Sequence, residues 1–224
     1  MHTKPLHNWN LSYAQARDLQ TVLARKVRLQ PLKYRPRTIA GLDCAFSRDK
    51  TSIAAVVVVM TYPALEILQT VSATAPVTFP YISGLLSFRE APVCLDAIAK
   101  LDRPPDLLLI DGQGIAHPRR LGLASHLGLF LDRPTIGCAK SRLIGDYEPP
   151  GPDKGSFSPL MHNDQQIGAV LRTRTAVKPL FISPGHKCTI DDAIKITLNC
   201  TTKYRLPQPT RTAHQLVTKL KTNI

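Results

Sequence analysis

Four apolar residues, Leu107-Leu108-Leu109-Ile110, run straight into a carboxylate and two glycines, Asp111-Gly112-Gln113-Gly114. A run this short and this apolar reads as a strand buried on both faces, the habit of strands in parallel sheets. The glycines let the backbone turn sharply and let another molecule come close. His117-Pro118-Arg119-Arg120 follows and reads as the start of a helix reaching about Leu131, because proline suits a first helical turn. The unit therefore sets an acid at the carboxyl end of a buried strand, the edge where open α/β sheets hold their ligands. An ordinary strand-to-helix turn with an Asx-type bend is the competing reading. Against it stands the crowd of Asp111, His117, Arg119, Arg120 and His126 around one loop, more chargeable groups than a structural turn uses.

The rest of the chain supplies a sheet for that strand to join. Residues 11–29 read as a helix capped by Ser12, and 30–37 as a basic connector. Residues 38–46, 52–60 and 64–72 read as three strands whose short links imply antiparallel pairing. Asp43 lies inside the first of them, on the face shared by Ile39 and Gly41, either facing solvent or serving chemistry. Residues 74–86 are irregular and carry Phe79-Pro80-Tyr81-Ile82-Ser83, with Tyr81 readable as a packing residue or an exposed one. A helix is expected from Pro92 to about Leu101, with Glu90 near its first turn, where the helix dipole alone could account for an acid. Because that helix separates it from the meander, the 107–110 strand is expected parallel. Residues 134–140 read as a short strand ending in Lys140, 145–158 as a mobile Pro- and Gly-rich loop, and 166–171 and 180–183 as late strands. A second glycine turn at 183–187, a helix over 189–200 and a helical tail to Ile224 complete the reading.

Composition narrows the partners. Lys and Arg number 29 against 16 Asp and Glu, a net charge of +13 that points to a polyanion, nucleic acid before an acidic membrane. No apolar run reaches the roughly 18 residues of a membrane span, and the first residues lack a signal peptide's apolar core. The five cysteines are odd in number and fit no zinc-binding spacing, so they read as reduced core residues of a cytoplasmic protein. We expect one domain over residues 1–224, with no added partner domain, acting as a monomer.

Asp43, Glu90 and Asp111 stand out as three acids that a parallel fourth strand could bring together. Acids pressed together repel unless something positive lies between them. In so basic a protein a divalent metal is the natural occupant, and Mg²⁺ takes carboxylate oxygens, waters and substrate phosphate. Such a centre suits phosphodiester cleavage, with Lys140 placed to orient the attacking water.

Asp111-Gly112-x-Gly114-x-x-His117-Pro118-Arg119, with Gly122, Ala124 and His126-Leu127-Gly128, resembles the signature of endonuclease V, the deoxyinosine-specific repair nucleases. Gly41-Leu42-Asp43, the stretch from Pro80-Tyr81-Ile82 to Phe88-Arg89-Glu90, Gly137-x-Ala139-Lys140 and Ser183-Pro184-Gly185-His186 agree with it. So do Tyr204-Arg205-Leu206-Pro207 and Arg211-x-Ala213-His214; the likeness spans roughly residues 10–220 in the family's order. It implies an α/β, RNase H-like fold, a mixed central sheet of three antiparallel strands then parallel ones, flanked by helices. It implies Asp43 and Asp111 as metal-binding acids, Glu90 as a third catalytic acid, Lys140 as a catalytic lysine and His214 as a histidine near the metal. Mg²⁺ is the implied cofactor, with Mn²⁺ able to substitute. Pro80, Tyr81 and Ile82 match the family's wedge, which fills the gap left by a flipped base. Gly84, Leu86, Gly112, His117, Gly137 and Ala139 match positions near the base pocket. The implied reaction is hydrolysis of the second phosphodiester bond 3′ to deoxyinosine in DNA, leaving 3′-hydroxyl and 5′-phosphate. Inosine in RNA is the alternative substrate, since no residue can be tied to a 2′-hydroxyl; a non-catalytic binder of bent or mismatched DNA is the other. One departure is visible: Ser83 stands where the family wedge has its second proline.

Overall fold

The computed structural model describes residues 5–223. Strands β1 (Thr38–Phe46), β2 (Ser52–Thr61) and β3 (Ile67–Pro76) form the expected antiparallel meander. Strands β4 (Leu107–Ile110) and β5 (Thr135–Ala139) join it in parallel, β4 beside β1 and β5 beside β4. Strands β6 (Phe157–His162), β7 (Gln165–Leu171) and β8 (Leu180–His186) extend the sheet antiparallel, giving the order β3-β2-β1-β4-β5-β8-β7-β6. Helices α1 (Tyr13–Ala24), α2 (Leu86–Ala99), α3 (Leu123–Leu131), α4 (Ile190–Asn199) and α5 (Gln208–Leu220) complete the architecture.

The two-residue period of a strand divides the core. Ile39, Val56, Val58, Leu107, Leu109 and Ile136 pack on one face with α4 and α5. Ala40, Leu42, Val57, Leu108 and Ile110 pack on the other with α2 and α3. This is why Leu107–Ile110 is apolar throughout: both of its faces are covered. Gly41 marks where α5 comes closest. A Cβ there would overlap the backbone of Pro209 and Thr210, so only a bare α-carbon lets the first turn of α5 lie on β1.

The structure departs from the sequence reading at several elements: β3 spans Ile67–Pro76 instead of 64–72, and α1 spans Tyr13–Ala24 instead of 11–29. Helix α2 begins at Leu86, not Pro92, so Glu90 lies within it; Pro92 sits inside the helix and leaves the Phe88 carbonyl without its usual donor. Helix α3 begins only at Leu123, because residues 113–122 remain a loop: Gly122 N–H donates to the Gly114 carbonyl, Ala124 N–H to that of Gln113, and Arg120 has φ 56°. Ser183, Pro184, Gly185 and His186 are not a turn but the end of β8. The 145–158 segment runs into β6, and Asp146 bridges Met161 through a pair of backbone hydrogen bonds of 2.8 and 2.9 Å. Among the described residues, no helix is long and apolar enough to cross a membrane.

Candidate active site

Parallel pairing sets the acids side by side. Leu42 is in register with Ile110, and Asp111 N–H continues the ladder by donating to the Leu42 carbonyl at 3.0 Å. Asp43 and Asp111 thus occupy adjacent positions at one rim of the sheet. Lys140 follows the end of β5, and its Nζ forms an ion pair with Asp111 Oδ2. From the other end of the sequence α5 brings His214, whose Nδ1 lies 2.6 Å from Asp43 Oδ2. Asp43, Asp111 and His214 each offer a ligand atom within 4.8 Å of the others.

Asp43 is 7% exposed. Its carboxyl is held above the usual range first by burial and then by the charge of Asp111, with His214 and Lys140 acting in opposition. Glu90 reaches the same rim from α2. Burial, and then the charges of Asp43 and Asp111, push its carboxyl up to about 8. The same mutual repulsion that raises the acids' affinity for protons favours binding of another cation between them. Two hard carboxylates and an imidazole form a donor set that fits a divalent metal.

A pocket of ≈ 130 Å³ adjoins this rim, and Glu90, Asp111 and Gly112 line it together with Tyr81, Gly84, Leu86 and His117. Tyr81 is 74% exposed, at the pocket's mouth. Gly84, at φ 78°, turns the chain below Tyr81. Its carbonyl accepts from His117 Nε2 at 3.0 Å and from Arg119 Nη2 at 2.8 Å. The Arg119 N–H donates to His117 Nδ1, which fixes His117 as the Nε2–H tautomer. Burial and the Arg119 charge push that imidazole down to about 4, so it is neutral at pH 7.

Two expected pocket residues lie elsewhere. Gly137 stands behind the loop: a Cβ there would press on the backbone of Gly112, Gln113 and Gly114, so the glycine lets β5 support the loop closely. Ala139 packs with Ala116, Leu160, Ile167, Val170 and Phe181. Pro80 is exposed beside Tyr81, and Ile82 packs partly against Ala16, Phe79, Leu85 and Phe88. The sequence reading missed Gln20, a fully buried amide on α1 that accepts from Arg119 Nε and donates to the Leu121 carbonyl at 2.8 Å. A glutamine on the apolar face of an amphipathic helix was the available signal.

Residues 21–215 match the family model described as Endonuclease V. The Endonuclease V of Nostoc sp. is 50% identical over 215 residues, covering 94% of this chain and 96% of that one. The crystal structure of the Endonuclease V from Streptomyces avermitilis superposes with a TM-score of 0.92 at 39% identity, covering 96% of each chain. The Ciona intestinalis Endonuclease V, in complex with a 23mer DNA containing an inosine followed by a ribo-adenosine, superposes with a TM-score of 0.83 at 26% identity, covering 94% of this chain and 97% of that one.

Proposed function

The chain belongs to the endonuclease V family, and from that premise we propose that it is a DNA repair endonuclease for deoxyinosine, cutting the second phosphodiester bond 3′ to the lesion. The observation that carries the reading is the convergence of Asp43, Asp111 and His214 within 4.8 Å beside a pocket with an exposed aromatic at its mouth. A fold in which the Ciona protein holds inosine-containing DNA supports the same substrate here.

Asp43 and Asp111, with His214, would hold Mg²⁺, and Mn²⁺ as a substitute. Bound there, the ion would supply charge stabilisation for the phosphoryl oxygens and a lowered pKa for the attacking water. His214 orients Asp43 through its Nδ1 contact. Lys140 brings a positive charge to the strand end beside Asp111, where a phosphate and its attacking water would be oriented. Glu90 holds a proton near neutrality and so can exchange one with the water or the leaving oxygen. Tyr81 enters the duplex in place of the flipped base, on a loop that His117 and Arg119 anchor at Gly84. The base then occupies the pocket over Gly84, Leu86 and Gly112, where backbone groups read its edge.

The test is a labelled duplex carrying one deoxyinosine, incubated with and without Mg²⁺, with the cut mapped to the nucleotide. Metal-dependent cleavage immediately 3′ of the lesion's 3′ neighbour, leaving 3′-hydroxyl and 5′-phosphate, is expected. Tight binding in EDTA without cleavage in Mg²⁺ would make the chain a binder of distorted DNA. Inosine in RNA is a second reading, favoured by the ribo-adenosine in the Ciona complex. Matched strands carrying deoxyinosine or inosine separate the two.

A further inference from the structure

A chain of hydrogen bonds runs from the N-terminal segment to the pocket wall, and its proton positions can be deduced. His7 Nδ1 lies 2.8 Å from the Asn8 carbonyl, which can only accept, so Nδ1 carries the proton. Burial lowers the His7 imidazole's affinity for a second proton, which leaves His7 Nε2 with a lone pair. His126 Nε2 lies 2.8 Å from that lone pair and must donate to it. His126 is fully buried among Phe88, Phe130 and Trp9, and burial pushes it down to about 3, so it carries one proton only. Its Nδ1 is therefore an acceptor. Ser87 Oγ stands 3.1 Å away and must give it the hydroxyl proton.

Ser87 is 3% exposed and lines the pocket one helical turn before Glu90. With its proton committed to His126, its oxygen has only lone pairs to offer. We propose that Ser87 is a specificity-determining acceptor for the protonated N1 of hypoxanthine, and that His7 and His126 are positioning residues that hold it in that state. The proposal rests on the reading of this pocket as a base pocket. Hypoxanthine carries a proton on N1 and adenine does not, so an oxygen that cannot donate discriminates between them. The reader's polarity is set from a carbonyl in the N-terminal segment, three hydrogen bonds away.

The test compares the full-length enzyme with Ser87→Ala and His7→Phe on duplexes that differ in one base, hypoxanthine or unsubstituted purine. Purine lacks both the N1 proton and the 6-oxygen; the oxygen's contribution is common to all variants and cancels when their preferences are compared. Ser87→Ala is expected to lower the kcat/KM preference for hypoxanthine over purine about 10-fold, the size of one neutral hydrogen bond. His7→Phe keeps the ring stack, frees His126 to exchange tautomers and lowers the preference by a smaller factor. Imidazole nitrogen chemical shifts of the unmodified protein are expected to show His7 protonated at Nδ1 and His126 at Nε2. Equal losses on both bases, an unchanged preference, or His126 protonated at Nδ1 would each overturn the proposal. A wild-type enzyme that cuts neither deoxyinosine nor inosine would instead overturn the functional reading on which it rests.

Discussion

The proposed metal rim and the proposed base pocket share Glu90 and Asp111 as a border, yet they are built from different materials. The rim is a knot of charge: buried Asp43, Asp111 with its Lys140 partner, His214, and a Glu90 that keeps its proton up to about 8. At the pocket two imidazoles are neutral, His117 and His126 being pushed down to about 4 and about 3, and the Gly84 carbonyl collects donors from His117 and the Arg119 guanidinium. Charge suits a site that must bind an ion and stabilise a transferring phosphoryl group. Fixed donors and acceptors suit a site that distinguishes two bases of nearly equal shape.

The largest effect that would break this contrast falls on the rim. Asp43→Ala is expected to reduce cleavage by about 10³-fold while lesion binding is largely kept, measured by single-turnover cleavage and by binding in EDTA. Full activity would remove Asp43 from the chemistry. Gly41→Ala is expected to cost about 3 kcal/mol by forcing α5 off β1, and to lose cleavage with it; a denaturant midpoint equal to wild type would refute the close approach.

Acid sharpens the contrast, because the two regions respond with opposite sign. His117 and His126 have folded values below the ordinary 6.5, so their contribution is complete above about 6.5 and is lost as pH falls from 6.5 toward 4. Each weakens the fold by about 1.4 kcal/mol per pH unit in that window. Glu90 has a folded value above its ordinary 4.5, so its contribution is present below 4.5 and is lost as pH rises toward 8. Denaturant unfolding of wild type and Glu90→Gln at pH 5 and pH 8 separates the two. The variant is expected to be more stable than wild type at pH 8 and to weaken on going to pH 5 through the histidines, a loss that the returning Glu90 proton offsets in wild type. The smallest effect is at the pocket's mouth. Tyr81→Ala is expected to lower affinity for the lesion roughly 10-fold over plain duplex. It should leave stability within about 0.5 kcal/mol, because the ring is exposed. Equal losses on both duplexes would make Tyr81 a packing residue.

The same division governs what the sequence could tell. The sheet was legible where burial dictated composition: β4 was read with its observed limits because a strand covered on both faces has no room for polar residues, and β1 because its residues alternate between two faces. The pairing of Asp43 with Asp111 followed from topology. Strand β6 was missed because Pro159, after a Pro- and Gly-rich stretch, reads as loop; proline is confined to edge strands, and β6 is the edge of the sheet. The start of α3 was misplaced because residues 113–122 give their backbone hydrogen bonds to the loop, although proline and two arginines suggest a helix. Ser183-Pro184-Gly185 looked like a turn because its purpose is tertiary: the Gly114 N–H donates to Ser183 Oγ and the Ile115 N–H to the Pro184 carbonyl, tying β8 to the glycine loop. Gln20 and the pairing of His7 with His126 depend on segments that meet only in three dimensions, 101 and 119 residues apart.

The docking of α5 on the bare backbone of Gly41 spans 171 residues between Asp43 and His214. The imidazole that meets the acid of β1 therefore comes from a helix far along the chain, and the contact exists only once α5 has seated on that strand.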